Sequence, residues 1–206
     1  MRCVIFTGGD PEPHLPEGVS TDGALIIAAD SGYKNCLALG CVPDIVLGDF
    51  DSLGSIPADT VHRVYPKEKD DTDLMLAVKE ALSRGCDEIV ILGAMGGRFD
   101  HTFANVQALG FIAENGAEGR IVSVNEEIIM LSPGRNLFPK RGDRSLSLFS
   151  YTNEVRGLTI AGVKYPLENG CITNRFPIGI SNEITADCAE VSFTEGLLLA
   201  VMSKLR

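Results

Sequence analysis

The chain reads as an α/β protein joined to a β protein: an N-terminal open parallel α/β sheet domain with a smaller C-terminal antiparallel β-sandwich domain. Three observations predict this. Short continuous apolar runs alternate with helical patterns through the first half, as expected of strands buried on both faces. Those runs end repeatedly at glycine or aspartate. From about Asn125 the helical stripes vanish, and short β-rich runs separated by turn residues take over. The boundary falls near Asn125 to Ile128, giving residues 1–126 to the α/β domain and 127–206 to the β domain.

Taken in order, Cys3-Val4-Ile5-Phe6 is a first strand that runs into Thr7-Gly8-Gly9-Asp10, followed by a proline-rich connector from Pro11 to Pro16. Ala24 to Ala29 is a second strand and stops at Asp30-Ser31-Gly32. Gly32 to Leu39 has a helical pattern that Gly40 closes. Ile45-Val46-Leu47 is a third strand, and Val61 to Tyr65 a weaker one. Leu74, Ala77, Val78, Ala81 and Leu82 form the stripe of an amphipathic helix that Gly85 terminates. Ile89 to Leu92 is a strand, Asp100 to Glu114 a helix, and Ile121 to Val124 one more strand. Beyond the boundary, strands are expected at Ile128–Leu131, Ser145–Phe149, Gly157–Ile160, Ala189–Phe193 and Leu197–Val201.

Composition excludes several classes. Hydrophobic residues at 45% and charged residues at 22% are ordinary for a globular chain of 206 residues. A formal charge of −10 argues against nucleic-acid or anionic-membrane partners, since neither phosphate surface would attract it. The six cysteines show no C-x-x-C pair and no zinc-finger spacing, and buried free thiols are the expectation. Arg2 to Phe6 already reads as a strand, so no leader is expected, and no apolar run approaches a bilayer's thickness. A reduced, cytoplasmic protein follows.

In an open parallel sheet, ligands bind beyond the carboxyl ends of the strands. Asp30 closes one strand. Asp49 and Asp51 close the next at i and i+2, a spacing that lets both carboxylates converge in an extended or tightly turned segment. Such a pair stays ionised around a cation, and hard oxygen ligands suit Mg²⁺. Lys69-Asp70-Asp71-Thr72-Asp73 opens the amphipathic helix. Gly93-Ala94-Met95-Gly96-Gly97-Arg98-Phe99-Asp100-His101 follows the last strong strand of this half. Gly96 and Gly97 would expose backbone N–H groups, and Arg98 adds a cationic fork suited to phosphate. Each feature also has a plain reading: an Asp-rich turn, an acidic first turn matched to the helix dipole, a tight glycine turn. Neither a Walker A loop nor a G-x-G-x-x-G fingerprint is present. Together the carboxylates, the arginine and the free amides suit phosphoryl or pyrophosphoryl transfer from a nucleotide.

Four ordered segments carry a resemblance: Ala29-Asp30-Ser31-Gly32, Pro43 through Ser52 (PDIVLGDFDS), Asp70-Asp71-Thr72-Asp73 and Gly96 through His101 (GGRFDH). With Gly162-Val163-Lys164-Tyr165-Pro166-Leu167 and Gly179-Ile180-Ser181-Asn182-Glu183 in the second half, they resemble the signature segments of thiamine pyrophosphokinases along nearly the whole chain. The resemblance implies attack of the thiamine hydroxyl on the β-phosphorus of ATP, giving thiamine diphosphate and AMP. It implies Mg²⁺ held at Asp30, Asp49, Asp51 and Asp73, with Gly96, Gly97, Arg98 and Asp100 on the nucleotide side. Tyr165, Ser181 and Asn182 would hold the vitamin, Tyr165 standing where many relatives carry tryptophan. A metal-bound carboxylate is a poor base, which leaves Asp71 or Asp100 as the candidate proton acceptor. A homodimer with active sites between subunits is the implied assembly.

Three rivals remain at this level. A diphosphokinase for a pterin alcohol would show the same nucleotide half. A phosphatase could use Asp49 as covalent nucleophile in a D-x-D motif, although that motif wants Thr or Val where Leu53 stands. A nucleotide-binding sensor without turnover would share the pocket, but the complete acidic set speaks for chemistry.

Overall fold

In the first strand, β1 (Arg2–Phe6), Cys3 through Phe6 are all buried, and so are Ile89 through Leu92 of β5 (Glu88–Leu92). Successive strand residues face opposite ways, so burial of every one means that both faces of the sheet are covered. The coordinates form a computed structural model that describes residues 1–48, 61–64 and 70–205. The chain divides into two compact units, Met1–Val124 and Asn125–Arg206.

The first unit adds β2 (Leu25–Ala29), α1 (Gly32–Ala38), β3 (Ile45–Gly48), β4 (Val61–Val64), α2 (Asp73–Ser83), α3 (Phe99–Glu114) and β6 (Glu118–Val122). The strand order is β6-β5-β1-β2-β3-β4, and every pairing is parallel. Val4, Phe6, Val90 and Leu92 pack with Cys36 of α1 on one face. The chain steps outward from β1 through β2, β3 and β4, then crosses back to place β5 on the other side of β1. With right-handed crossovers, α1 takes one face while α2 and α3 take the other. The reversal of direction between β1 and β5 is a topological switch point, the place where open α/β sheets bind ligands.

The helices end where their sequences direct. Thr72 caps α2 by accepting the Met75 N–H at 3.2 Å. Gly40 and Gly116, both with positive φ, follow α1 and α3. Gly32 opens α1 for a different reason: a Cβ there would lie 2.1 Å from the Phe6 carbonyl oxygen. Only glycine lets the helix start so close to β1.

The second unit is a sandwich of two antiparallel sheets, ordered β12-β9-β14-β7 and β11-β10-β13-β8 within it. Its strands are β7 (Glu126–Leu131), β8 (Gly134–Pro139), β9 (Arg144–Ser150), β10 (Glu154–Ala161), β11 (Leu167–Thr173), β12 (Gly179–Asn182), β13 (Cys188–Phe193) and β14 (Leu198–Lys204). Leu146, Leu148, Leu198, Ala200 and Met202 of one sheet share a core with Phe138, Val155, Leu158, Ile172, Val191 and Phe193 of the other.

Two departures from the sequence reading are informative. The final strand of the first unit begins earlier than the expected 121–124, because Glu88 pairs with Glu118 and the Glu118 N–H donates to the Asp87 carbonyl at 2.9 Å. Pairing with a buried neighbour draws a polar start into the strand. β8, β11 and β12 carry no alternating pattern, so periodicity does not predict them. Each lies at the end of its sheet's order within the unit, with one long side unpaired there, so few of its residues need be apolar.

Candidate active site

A cavity of about 640 Å³ opens at the carboxyl ends of β1, β2 and β5, at the switch point. That volume is in the range of small-molecule sites. Its lining comes from the β1 turn (Thr7, Gly8, Gly9), the end of β2 (Asp30, Ser31), the start of α2 (Asp71, Thr72, Asp73) and the β5–α3 loop (Gly96, Gly97, Arg98, Asp100). Thus Asp30, Asp71, Asp73, Gly96, Gly97, Arg98 and Asp100 of the predicted set surround one space. Asp49 and Asp51 lie outside the described residues. Among the described residues no three His, Cys, Asp or Glu side chains stand close enough to hold a metal ion by themselves.

The β1 turn and the β5 loop are joined backbone to backbone. The Gly9 N–H donates to the Gly93 carbonyl at 2.7 Å, and the Asp10 N–H to the Met95 carbonyl at 3.0 Å. Thr7 Oγ1 donates to the Gly93 carbonyl at 2.5 Å. A Cβ on Gly9 would lie 2.2 Å from the Gly93 oxygen, so the join requires glycine. Among the described residues the backbone N–H groups of Gly8, Gly96 and Gly97 have no acceptor in the protein. Unpaired N–H groups on a cavity wall are donors for an anion.

The charged side chains are ordered by pairing. Arg98 reaches Asp100 with both ends of its fork, Nε donating to Oδ1 at 3.1 Å and Nη2 to Oδ2. The remaining guanidinium N–H groups are left for another oxygen anion. Hydrogen bonds from Arg98 hold the Asp100 carboxyl below the usual carboxylate range, and the same bonds raise Arg98. Asp100 is therefore ionised throughout neutral pH, and its charge is lost only as pH falls through that lowered value. Asp71 accepts from Lys79 Nζ through both oxygens, at 2.8 and 2.7 Å. Neither candidate proton acceptor is free: each already holds a cation.

Asp30 has φ of 47°, a left-handed conformation unusual for a residue with a side chain, and its N–H donates to the Leu47 carbonyl at 2.7 Å. Gly48, the last residue of β3, lies against it; a Cβ there would come 3.2 Å from the Asp30 Cα. Strain of this kind concentrates at functional positions. It sets Asp30 on the cavity rim beside Gly48.

The predicted vitamin-binding residues lie in the second unit. The Tyr165 side chain is exposed, with Lys164 Nζ 5.9 Å from its ring centroid. Asn182 is buried, and its amide faces Tyr165: Oδ1 accepts the Tyr165 N–H at 3.1 Å and Nδ2 donates to the Tyr165 carbonyl at 2.9 Å. Ser181 is exposed at φ 56°, its N–H donating to Ser147 Oγ at 2.9 Å. Sequence reasoning missed Thr7, Gly8 and Gly9 as lining residues. Their signal was available, a Gly-Gly pair directly after the first strand.

A profile described as "Thiamin pyrophosphokinase, catalytic domain" matches residues 19–118, and one described as "Thiamin pyrophosphokinase, vitamin B1 binding domain" matches residues 136–198. The thiamine pyrophosphokinase of Bacillus subtilis (strain 168) is 32% identical over 212 residues, covering 98% of this chain and 99% of its own. The chain belongs to the thiamine pyrophosphokinase family. Solved structures agree in fold as well. The Bacillus subtilis thiamine pyrophosphokinase structure has a TM-score of 0.89 at 32% identity, over 99% of both chains. The thiamin pyrophosphokinase structure from Geobacillus thermodenitrificans has a TM-score of 0.85 at 29% identity, over 99% of this chain and 98% of its own. Membership in the thiamine pyrophosphokinase family makes the chain an enzyme, a pyrophosphotransferase. Among the described residues no helix is long and apolar enough to cross a membrane.

Proposed function

We propose that the switch-point cavity is where this chain carries out its family's reaction, transfer of a pyrophosphoryl group from ATP to the hydroxyl of thiamine. The O–Pβ bond forms as the bond between the α-phosphate and Pβ breaks, and AMP leaves. The observation that carries the reading is the pairing, in one cavity, of carboxylates (Asp30, Asp73) with unpartnered backbone N–H groups (Gly8, Gly96, Gly97). Carboxylates alone would repel a triphosphate, and amides alone would bind it without a metal.

Asp30 and Asp73 are hard oxygen donors on the same cavity, which fits Mg²⁺, and Asp49 and Asp51 complete the proposed set. When bound, Mg²⁺ supplies neutralisation of the triphosphate charge. The chain's own part is positioning: Arg98 directs its remaining N–H groups at a phosphate oxygen while Asp100 holds the guanidinium still. Asp71 and Asp100 are the proposed acceptors of the hydroxyl proton, each already engaged by a cationic side chain. In the second unit, Tyr165 would flank the cationic ring of thiamine, with Ser181 beside it and Asn182 fixing the Tyr165 backbone. Thiamine and ATP are the proposed partners, in a homodimer with active sites between subunits. All six cysteines are free thiols, which supports a cytoplasmic setting.

The test is AMP release from ATP with thiamine, with a hydroxymethyl pterin, and with neither, each with and without magnesium chloride. Thiamine- and Mg²⁺-dependent AMP is expected. AMP with the pterin alone would move the chain to the rival alcohol, and nucleotide binding without AMP would make it a sensor. Asp71→Asn and Asp100→Asn would each be assayed across pH; an unchanged profile in both removes them as proton acceptors.

A further inference from the structure

Asn35 lies inside the seven-residue helix α1, a poor place for asparagine because its side chain competes for nearby backbone groups. Here the carboxamide leaves the helix. Nδ2 donates to the Thr7 carbonyl at 2.8 Å and to the Gly9 carbonyl at 3.3 Å. Both partners are pure acceptors, so the nitrogen end of the amide has to face them.

The Thr7 carbonyl belongs to the peptide whose N–H is that of Gly8. In a trans peptide the C=O and N–H point in opposite directions, and no peptide bond described here is cis. Drawing the Thr7 carbonyl toward α1 therefore turns the Gly8 N–H away from α1. That N–H has no acceptor among the described residues, and Gly8 lines the cavity. The β5 loop grips the same turn through the Gly9 N–H and Thr7 Oγ1. Gly8 itself has no side chain to hold its peptide, and a Cβ there would lie 1.8 Å from Ser31 Oγ. The orientation of that peptide therefore falls to the hydrogen bonds on its carbonyl and on its neighbours.

We infer that Asn35 is a positioning residue for polyphosphate, one that aims the Gly8 N–H into the cavity from the far side of the turn. The inference rests on the function proposed above. Asn35→Asp keeps size but sets a carboxylate against two carbonyl oxygens, and Asn35→Leu keeps bulk without any donor. Calorimetric binding of inorganic tripolyphosphate with magnesium chloride is the first readout, and the KM values for ATP and thiamine the second. Both variants are expected to bind tripolyphosphate about 10-fold more weakly, a change worth about 1.4 kcal/mol. KM for ATP should rise by a similar factor, and KM for thiamine by less than about twofold. Tripolyphosphate binding within about twofold of the parent overturns the inference. So does a parallel change in both KM values, or failure of both variants to fold by circular dichroism, since Asn35 would then serve only the fold. Failure of the parent chain to bind tripolyphosphate at all would instead sink the proposed function.

Discussion

The two units of this chain distribute their polar groups differently. In the α/β unit, β1 and β5 are buried on both faces, and the carboxylates of interest gather beyond the strand ends. In the β unit, ion pairs such as Arg135–Glu190 and Arg156–Glu154 lie along and between strands, on side chains that solvent reaches. The cysteines divide the same way: Cys3, Cys36, Cys41 and Cys86 are buried, whereas Cys171 and Cys188 are exposed. A parallel sheet covered by helices has no wet face, so its polar chemistry is forced to one rim. An antiparallel sandwich keeps an outer face for charge. That concentration of carboxylates and N–H groups at one rim is what supports the proposed site for a highly charged substrate in the first unit.

The largest expected effect would come from the rim. Asp30→Asn and Asp73→Asn should each lower kcat/KM for AMP formation by about 10²- to 10³-fold, with melting temperatures near the parent's. Equal losses from charge removal in the β unit, for example Glu190→Gln, would break the contrast. Backbone packing comes next. Gly32→Ala forces a methyl group onto the Phe6 carbonyl and should destabilise by about 3 kcal/mol in urea unfolding. Gly142→Ala in the β unit meets no atom within 4 Å and should stay within about 0.5 kcal/mol. Tyr165→Ala removes an aromatic face from the β unit; it should raise KM for thiamine by about fivefold and leave KM for ATP unchanged. A larger shift in the ATP value would mean that the two units do not divide the substrates.

The smallest effect, absent at neutral pH, concerns the thiols. Burial pushes the Cys36 thiol up to about 12, and burial raises Cys3 and Cys86 as well. A raised value in the folded state means that the unfolded chain ionises first. Stability from these thiols is thus complete below an ordinary thiol's range and declines as pH rises above about 9. Cys36→Ala should flatten the alkaline slope of the unfolding midpoint. At pH 8 a thiol reagent should label Cys171 and Cys188 in the folded protein and the other four only after denaturation.

Legibility followed the same division. Strands such as Ile89–Leu92 were readable because burial on both faces demands an unbroken apolar run. β8, β11 and β12 were not, because an edge strand is held by its backbone and Arg135, Leu137 and Ile180 are free to face solvent. At the site, Asp30, Asp73 and Arg98 announced themselves as charges at element ends. The pairings Asp71–Lys79 and Arg98–Asp100 did not, since they depend on side-chain reach over a folded surface. Asn35 carried no local signal, as its partners sit 28 and 26 residues away along the chain.

By itself the amino-acid order determined which segments are the fully buried strands, which helices cap and stop where they do, and which acidic residues stand at strand ends. All of that follows from local periodicity and the conformational limits of single residues. Only the tertiary structure decided that β5 lies on the opposite side of β1 from β2, through pairings such as Cys3 with Ile89. That choice depends on surfaces meeting across long stretches of chain. It is what opens the crevice at the switch point and brings Asp30, Asp73 and the glycines Gly8, Gly96 and Gly97 to line one cavity.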